Sequence, residues 1–332
     1  VHHSQLCSTF KLAKPIGQES YEKSVLTQLE IAGALIGTRK RDGHKMIAEV
    51  GRDQTIRLYT SGMHEIDHRL NYIREEIRSL RLREGTVLVG ELVIERTTDG
   101  RTHDDMPSVH ALLESSFKNA QKLLATGSIP QFFVFNALYD EPHHDLESWP
   151  YRTTLDWLQK KLRNGNYVVP VDEVTGTLEA MKKQAFDSGW EGLVLYDTAY
   201  RLTWRTEGLE PRPKGCYKFK PVNEDDFFIF SSWRRFRSDG LVKDVRLLQW
   251  EYRDATCTAA HFIDCGRLGA FDDMTRGELT ASGWTNRVLQ VRFVSRYPKT
   301  GKLREPAFVR FRDDKKMQEC IAPKTWPHPQ SA

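Results

Sequence analysis

Lys40-Arg41-Asp42-Gly43-His44-Lys45 sets a lysine two residues before an Asp-Gly turn, with the apolar run Met46-Ile47-Ala48 behind it. An Asp-Gly pair between strand-like residues presents its neighbours at a hairpin tip. A lysine held there acts as a nucleophile only as the neutral amine. The free pKa is about 10.4, which leaves roughly 0.1% neutral at physiological pH. Neighbouring cations or loss of water raise that fraction. Arg39, Arg41 and Lys45 crowd Lys40 with positive charge.

Other reactive units follow in order. Gly90-Glu91 opens the run Leu92-Val93-Ile94, and Glu191-Gly192-Leu193-Val194 repeats a carboxylate and glycine before a strand. Phe133-Val134-Phe135 offers flat rings. Lys218-Phe219-Lys220 puts two lysines on one face of a strand, because side chains two apart point the same way. Arg312-Asp313-Asp314-Lys315 closes the last strand-like run. Nucleotidyl transfer needs these parts: an amine, cations on phosphate oxygens, carboxylates for a metal and an aromatic face for a base. Singly, each has a plainer reading as a solvated hairpin, a turn, a core ring or an edge strand. Their number and order carry the chemistry.

The elements that must position them alternate over the first 221 residues. Apolar spacing predicts a helix over Asp67 to Arg83, with Leu70, Ile73, Ile77 and Leu80 on one face. A strand from Val87 to Glu95, a helix from Ser108 to Leu124 and a strand from Gln131 to Leu138 follow. Helices over Thr153 to Leu162 and Thr177 to Ser188 precede strands at Gly192 to Tyr196 and Tyr217 to Lys220. After residue 226 the texture changes to short strands: Phe227 to Phe230, Val245 to Tyr252, Thr258 to Ile263, Val288 to Arg296 and Ala307 to Phe311. Short strands with glycine-rich turns predict a small barrel. The boundary falls between 221 and 226, giving domains 1–221 and 222–332. Three prolines mark a poorly ordered tail after Ile321.

At 332 residues the chain is long enough for two domains. Residues 222–332 hold 19 Lys+Arg against 15 Asp+Glu, so the whole excess of +4 lies in the last third. That asymmetry points to a polyanion partner. No apolar run approaches a membrane span, and no signal-peptide pattern opens the chain. Cys7, Cys216, Cys257, Cys265 and Cys320 lack metal-ligand spacing and read as reduced thiols inside a cell. His64, His68, His143 and His144 lack the partners of a zinc site.

From about Phe10 to about Lys316, the ordered set resembles the covalent nucleotidyltransferase superfamily, and within it the ATP-dependent DNA ligases in their minimal two-domain form. Lys40 to Lys45 is similar to the nucleophile motif, and Gly90-Glu91-Leu92-Val93 to the third motif. Phe135 is similar to the adenine-stacking aromatic, Glu191 to Val194 to the fourth motif and Lys218 to Lys220 to the fifth. Arg312 to Lys315 is similar to the last motif of the OB domain. Leu12-Ala13-Lys14-Pro15 and Gly301 to Pro306 are similar to the DNA-ligase branch. The chain departs from the pattern at Thr38, Lys45, Thr60-Ser61, Val89, Asn136 and Tyr196, which touches base selectivity and the phosphate and ribose contacts.

The resemblance implies an α+β fold: an adenylation domain of antiparallel sheets with flanking helices, then a β-barrel OB-fold domain. It implies a monomer that seals 3′-OH/5′-phosphate nicks in duplex DNA, with ATP as AMP donor and Mg²⁺ (replaceable by Mn²⁺). Lys40 would carry AMP. Glu91 would bind ribose or metal, and Glu191 and Asp42 would hold metal. Lys218 and Lys220 would neutralise the α-phosphate, and Lys45 would join the nucleotide contacts. Arg312 and Lys315 would orient pyrophosphate in the first step. Basic residues interleaved with aromatics place DNA contacts at Arg234, Arg235, Arg237, Arg292, Arg296, Lys299 and Lys302. Three alternatives stay open: an RNA ligase, an RNA-capping guanylyltransferase and a non-catalytic nucleic-acid-binding protein.

Overall fold

The computed structural model describes residues 11–98, 101–127, 129–138, 148–205, 212–251, 261–281, 286–297 and 300–323. The chain packs as two compact units, Val1–Pro221 and Val222–Ala332. Among the described residues no helix is long and apolar enough to cross a membrane.

Two sheets build the first unit. One has the strand order Ile56–Thr60, His44–Val50, Val87–Val93, Gln131–Leu138, Val168–Pro170, antiparallel except for the last pair. The other runs Glu173–Val174, Leu35–Lys40, Gly192–Asp197, Cys216–Phe219, all antiparallel. The helices Asn71–Ser79, Met106–Glu114, Phe117–Ala125 and Tyr151–Leu162 cover the first sheet. Ile73, Ile77, Val109, Leu112, Ala120 and Leu158 meet Leu58, Leu88 and Val134 in one core. Each fully buried aliphatic contributes about 1.5–3 kcal/mol. The helices Lys23–Ile31 and Leu178–Asp187 back the second sheet through Leu26, Leu178, Met181, Leu193 and Leu195.

The sequence predicts a hairpin at Asp42-Gly43, and the structure corrects this. Leu35–Lys40 and His44–Val50 lie in different sheets, so Arg41-Asp42-Gly43 carries the chain from one sheet to the other. Gly43 serves close approach rather than a tight turn. A Cβ there would overlap Leu92 O and come within 2.8 Å of Val93 Cγ2.

Two predicted helices are shorter than their apolar spacing suggests. Ser108 to Leu124 is two helices, broken at Ser115 and Ser116, both extended (ψ 163° and 153°). Serine competes for backbone hydrogen bonds and favours helix ends. Asp67 to Arg83 becomes a 3₁₀ turn at His68–Leu70 and then Asn71–Ser79. Arg81 takes a left-handed φ of 49° and stops the helix before Arg83.

In the second unit the strand order is Arg234–Phe236, Val242–Trp250, Asn223–Phe230, Asn286–Phe293, Ala307–Phe311, with Phe262–Leu268 also paired to Val242–Trp250. Phe227, Ile229, Val245, Leu247, Leu289 and Val291 form its core, and the short helix Asp273–Thr280 adds Leu279. Among the described residues no pairing closes this sheet into a barrel. Tyr252, residues 258–260 and the tail from 324 lie outside the described residues, as do Cys7 and Cys257. Cys216, Cys265 and Cys320 are buried free thiols.

Candidate active site

Lys40 ends its strand opposite Gly192. The residue before Gly192 is Glu191, and its Oε2 accepts from Lys40 Nζ. Gly192 has φ 150°, and a Cβ on it would overlap Phe219 O. A glycine is therefore needed for the strand Cys216–Phe219 to approach. That approach brings Lys220 Nζ to 3.1 Å from Glu191 Oε1. Glu191 is thus shared between two lysines, with its side chain only 6% exposed. Lys218 stands opposite Val194 and lines a cavity of about 300 Å³.

The other wall of this cavity comes from the five-stranded sheet, where Lys45, Glu91 and Phe133 stand side by side across three strands. Removal from water pushes the Glu91 carboxyl up to about 7, against the pull of Lys40 and Lys45 and with the repulsion of Glu191 and Asp42. Two carboxylates in mutual repulsion beside a cationic cavity offer hard oxygen donors. Mg²⁺ takes one or two such carboxylates together with substrate phosphates, so these residues fit that ion. Among the described residues no three His, Cys, Asp or Glu gather into a closed metal cage.

The cavity is lined by Lys14, Arg39, Lys40, Arg41, Lys45, Arg212 and Lys218, with Glu91 as the one acid among its described lining residues. Thr38, Phe135, Asn136, Val171, Val194, Tyr196 and Cys216 supply neutral surface. The ladders order these groups. Lys40 is level with Gly192, whereas Tyr196 is level with Ile36 four residues back along the same strand. On the facing sheet Glu91 is level with Lys45, and Asn136 with Val89. Among the ladder residues, Lys40, Lys45 and Glu91 therefore share one end, and Tyr196 and Asn136 lie toward the other. Such a cavity suits a polyanion joined to a flat ring.

Arg39 and Arg41 do not add uncompensated charge beside Lys40, as their sequence positions suggest. Arg39 Nη2 donates to Asp104 Oδ1 at 2.7 Å. Arg41 donates to Glu95 at 2.5 Å, Asp104 at 3.0 Å and Asp172 at 2.6 Å, and lies 3.6 Å above the Phe133 ring centre. These three acids, with Arg212, are site residues that no local motif marks, while Lys14, part of the Leu12-Ala13-Lys14-Pro15 segment, joins the lining. The acids lie on short polar strands and a loop, more than 50 residues from their partners, with no local spacing to announce them.

In the second unit Arg312 Nη1 reaches Asp226 at 2.9 Å and Lys315 Nζ reaches it at 2.6 Å. The last motif thus converges on one carboxylate. The predicted DNA contacts divide. The Arg296 side chain is 6% exposed, bonds Gln249 at 2.5 Å and lies against the Phe227 and Phe293 rings. It is an interior residue rather than a surface cation. Arg234 donates to Ser231 O at 2.7 Å and Leu279 O at 2.5 Å, which ties a loop to a helix end. Arg235 forks onto Asp244 at 2.8 and 2.6 Å. Arg237 pairs with Asp239 at the surface, Arg292 is level with Glu224, and Lys302 is exposed. Lys299 lies outside the described residues.

No protein-family model matches the sequence, and no curated protein does. Solved structures do match in fold. The ligase domain of LigD from M. tuberculosis has 17% identity and a TM-score of 0.50, covering 94% of this chain and 98% of that one. A Lig E DNA ligase, described as binding DNA with a minimal scaffold, has 15% identity and a TM-score of 0.58, covering 91% and 98%. A structure named Pmar-Lig_Pre has 14% identity and a TM-score of 0.62, covering 91% and 67%. The chain has the mixed α+β fold, with antiparallel sheets, of DNA ligase domains.

Proposed function

We propose that the chain is an ATP-dependent DNA ligase that seals 3′-OH/5′-phosphate nicks. The observation that carries this reading is Lys40 in contact with Glu191, in a cation-lined cavity that also holds the rings of Phe135 and Tyr196. Lys40 Nζ, once neutral, attacks the α-phosphorus of ATP. An N–P bond forms, the bond to the β-phosphate oxygen breaks, and pyrophosphate leaves. The ammonium proton must depart first, and Glu191 is the carboxylate that touches it. Lys218 and Lys220 balance charge on the α-phosphate as point charges. Phe135 offers its face to adenine. Mg²⁺, held by Glu91 and Glu191 with Asp42 nearby, would supply positive charge to the phosphate oxygens; Mn²⁺ has the same preference for oxygen.

The AMP then passes to the 5′-phosphate at a nick, forming a phosphoanhydride and freeing Lys40. The 3′-hydroxyl attacks that phosphate, a phosphodiester forms, and AMP departs. The second unit, read as an OB-fold domain, binds DNA with Arg237, Arg292 and Lys302. Arg312 and Lys315 act on the pyrophosphate of the first step.

Incubation with labelled ATP tests this reading. The wild-type chain should gain covalent AMP and seal a nicked duplex, and Lys40→Ala should gain none. Labelling of Lys40→Ala would sink the assignment. Labelling by GTP alone would favour a capping enzyme, sealing of nicked RNA alone an RNA ligase, and no adduct at all a non-catalytic binding protein.

A further inference from the structure

Asp104 accepts hydrogen bonds from three residues of the segment that carries Lys40. Its Oδ1 takes Arg39 Nη2 at 2.7 Å and Arg41 Nη1 at 3.0 Å, and its Oδ2 takes the Asp42 backbone N–H at 2.8 Å. Its side chain is 4% exposed. Glu95 stands directly opposite Asp104 across the two-stranded pair Glu95–Thr98 and Arg101–Asp104. Opposed carboxylates repel. Here two guanidinium groups sit against both, since Glu95 also takes Arg41 Nη1 at 2.5 Å and Arg39 Nη1 at 3.5 Å. The repulsion thereby becomes a charge-assisted clamp.

The clamp closes on a weak point of the fold. Arg41 to Gly43 cross between sheets and belong to neither ladder. A backbone N–H in such a link must find an acceptor outside the sheets. For Asp42 that acceptor is Asp104.

We infer that Asp104 is a positioning residue for the nucleophile: it holds the Asp42 backbone after Lys40 and the side chains of Arg39 and Arg41 on either side of it, so that the amine meets the reacting phosphate. This rests on the ligase reading. Misplacement by about 1 Å lowers a rate by about 100-fold.

The test compares Asp104→Asn with Glu95→Gln in the full chain. Three quantities are read: the rate of Lys40–AMP formation at saturating ATP, the affinity for ATP, and sealing of a nicked duplex that already carries a 5′-adenylate. The last needs no lysine adduct. Asp104→Asn should slow adduct formation about 10- to 100-fold, with ATP affinity and sealing of the pre-adenylated nick retained. Glu95→Gln should lose much less, because Glu95 accepts from the Arg39 and Arg41 side chains, whereas Asp104 also holds the Asp42 backbone N–H. Should Asp104→Asn not accumulate as folded protein, Asp104→Glu keeps the charge, moves the carboxylate by one methylene and should show the same selective loss. A uniform loss of all three quantities would reduce Asp104 to a stability role and overturn the inference. Equal losses in the Asp104 and Glu95 variants would overturn it in favour of charge balance alone. A wild-type chain that forms no adduct would instead overturn the ligase reading itself.

Discussion

Lys220 Nζ stands 3.1 Å from Glu191 Oε1. The other oxygen of that carboxylate takes Lys40, so one buried acid sets the spacing of two amines. Glu191→Gln removes the charge that gathers them. Adenylation should fall by about 100-fold or more. Both lysines keep some contact with water, at 23% and 19% exposure. The loss of stability should therefore stay below the roughly 3–5 kcal/mol typical of a broken, fully buried pair. Single-turnover adduct formation and urea unfolding read the two quantities separately.

Gly43→Ala should be damaging although it adds one methyl group. The new Cβ would overlap Leu92 O, and overpacking of this kind costs about 1–3 kcal/mol. The displaced segment is the one next to Lys40, so adduct formation should drop further than thermal stability. Comparable activity in the two proteins would show that the crossing can shift without consequence.

Arg312→Ala should slow lysine adenylation and spare the sealing of a pre-adenylated nick, because pyrophosphate takes part in the first step alone. Asp226, which now holds both Arg312 and Lys315, should behave similarly when changed to Asn. Equal loss in both assays would remove the last motif from the first step.

DNA affinity should respond to Arg237 and Lys302, not to Arg296. Each phosphate contact removed lowers the magnitude of the salt slope by about 0.9. The double variant Arg237→Ala, Lys302→Ala should flatten that slope while leaving the unfolding transition in place. Arg296→Ala should instead lower stability, since it empties an interior site between two phenylalanine rings.

Acid should weaken the first unit through Asp67. Hydrogen bonding to Arg69 lowers its carboxyl from 3.8 to about 2. A folded-state value below the unfolded one stabilises above the unfolded value and loses that contribution as pH falls through the folded value. The window is therefore between 3.8 and about 2. Arg69 in turn donates to Leu112 O and Leu113 O, fastening the end of the helix Met106–Glu114. Asp67→Asn should unfold more easily than wild type at neutral pH, and the two should converge near pH 2.

Strand-forming segments and the motif lysines were legible in the sequence because period-two alternation and short glycine units are local signals. The neighbours of Lys40 were not. Glu95, Asp104 and Asp172 reach Arg41 only through tertiary packing, which spacing along the chain does not encode. The hairpin at Asp42-Gly43 misled for a similar reason. Asp-Gly is a sound turn signal, yet pairing of Lys40 with Gly192 and of Lys45 with Glu91 drew the two arms into separate sheets. Arg234 and Arg296 looked like surface cations because charge counts carry no burial. The helix over Ser108 to Leu124 kept its apolar spacing across Ser115-Ser116, so periodicity alone did not mark the break.

The crossing at Arg41 to Gly43 also bears on how such a site can diversify. Its two walls belong to separate ladders, so substitutions on one sheet leave the pairing of the other untouched. Each wall carries both kinds of group, Tyr196 sharing its sheet with Lys40 and Lys218, and Phe135 sharing its sheet with Lys45 and Glu91, so the neutral positions of one wall can change while the pairing of the other stays in place. What cannot drift alone is the link, which leaves one sheet directly after Lys40 and enters the other at His44.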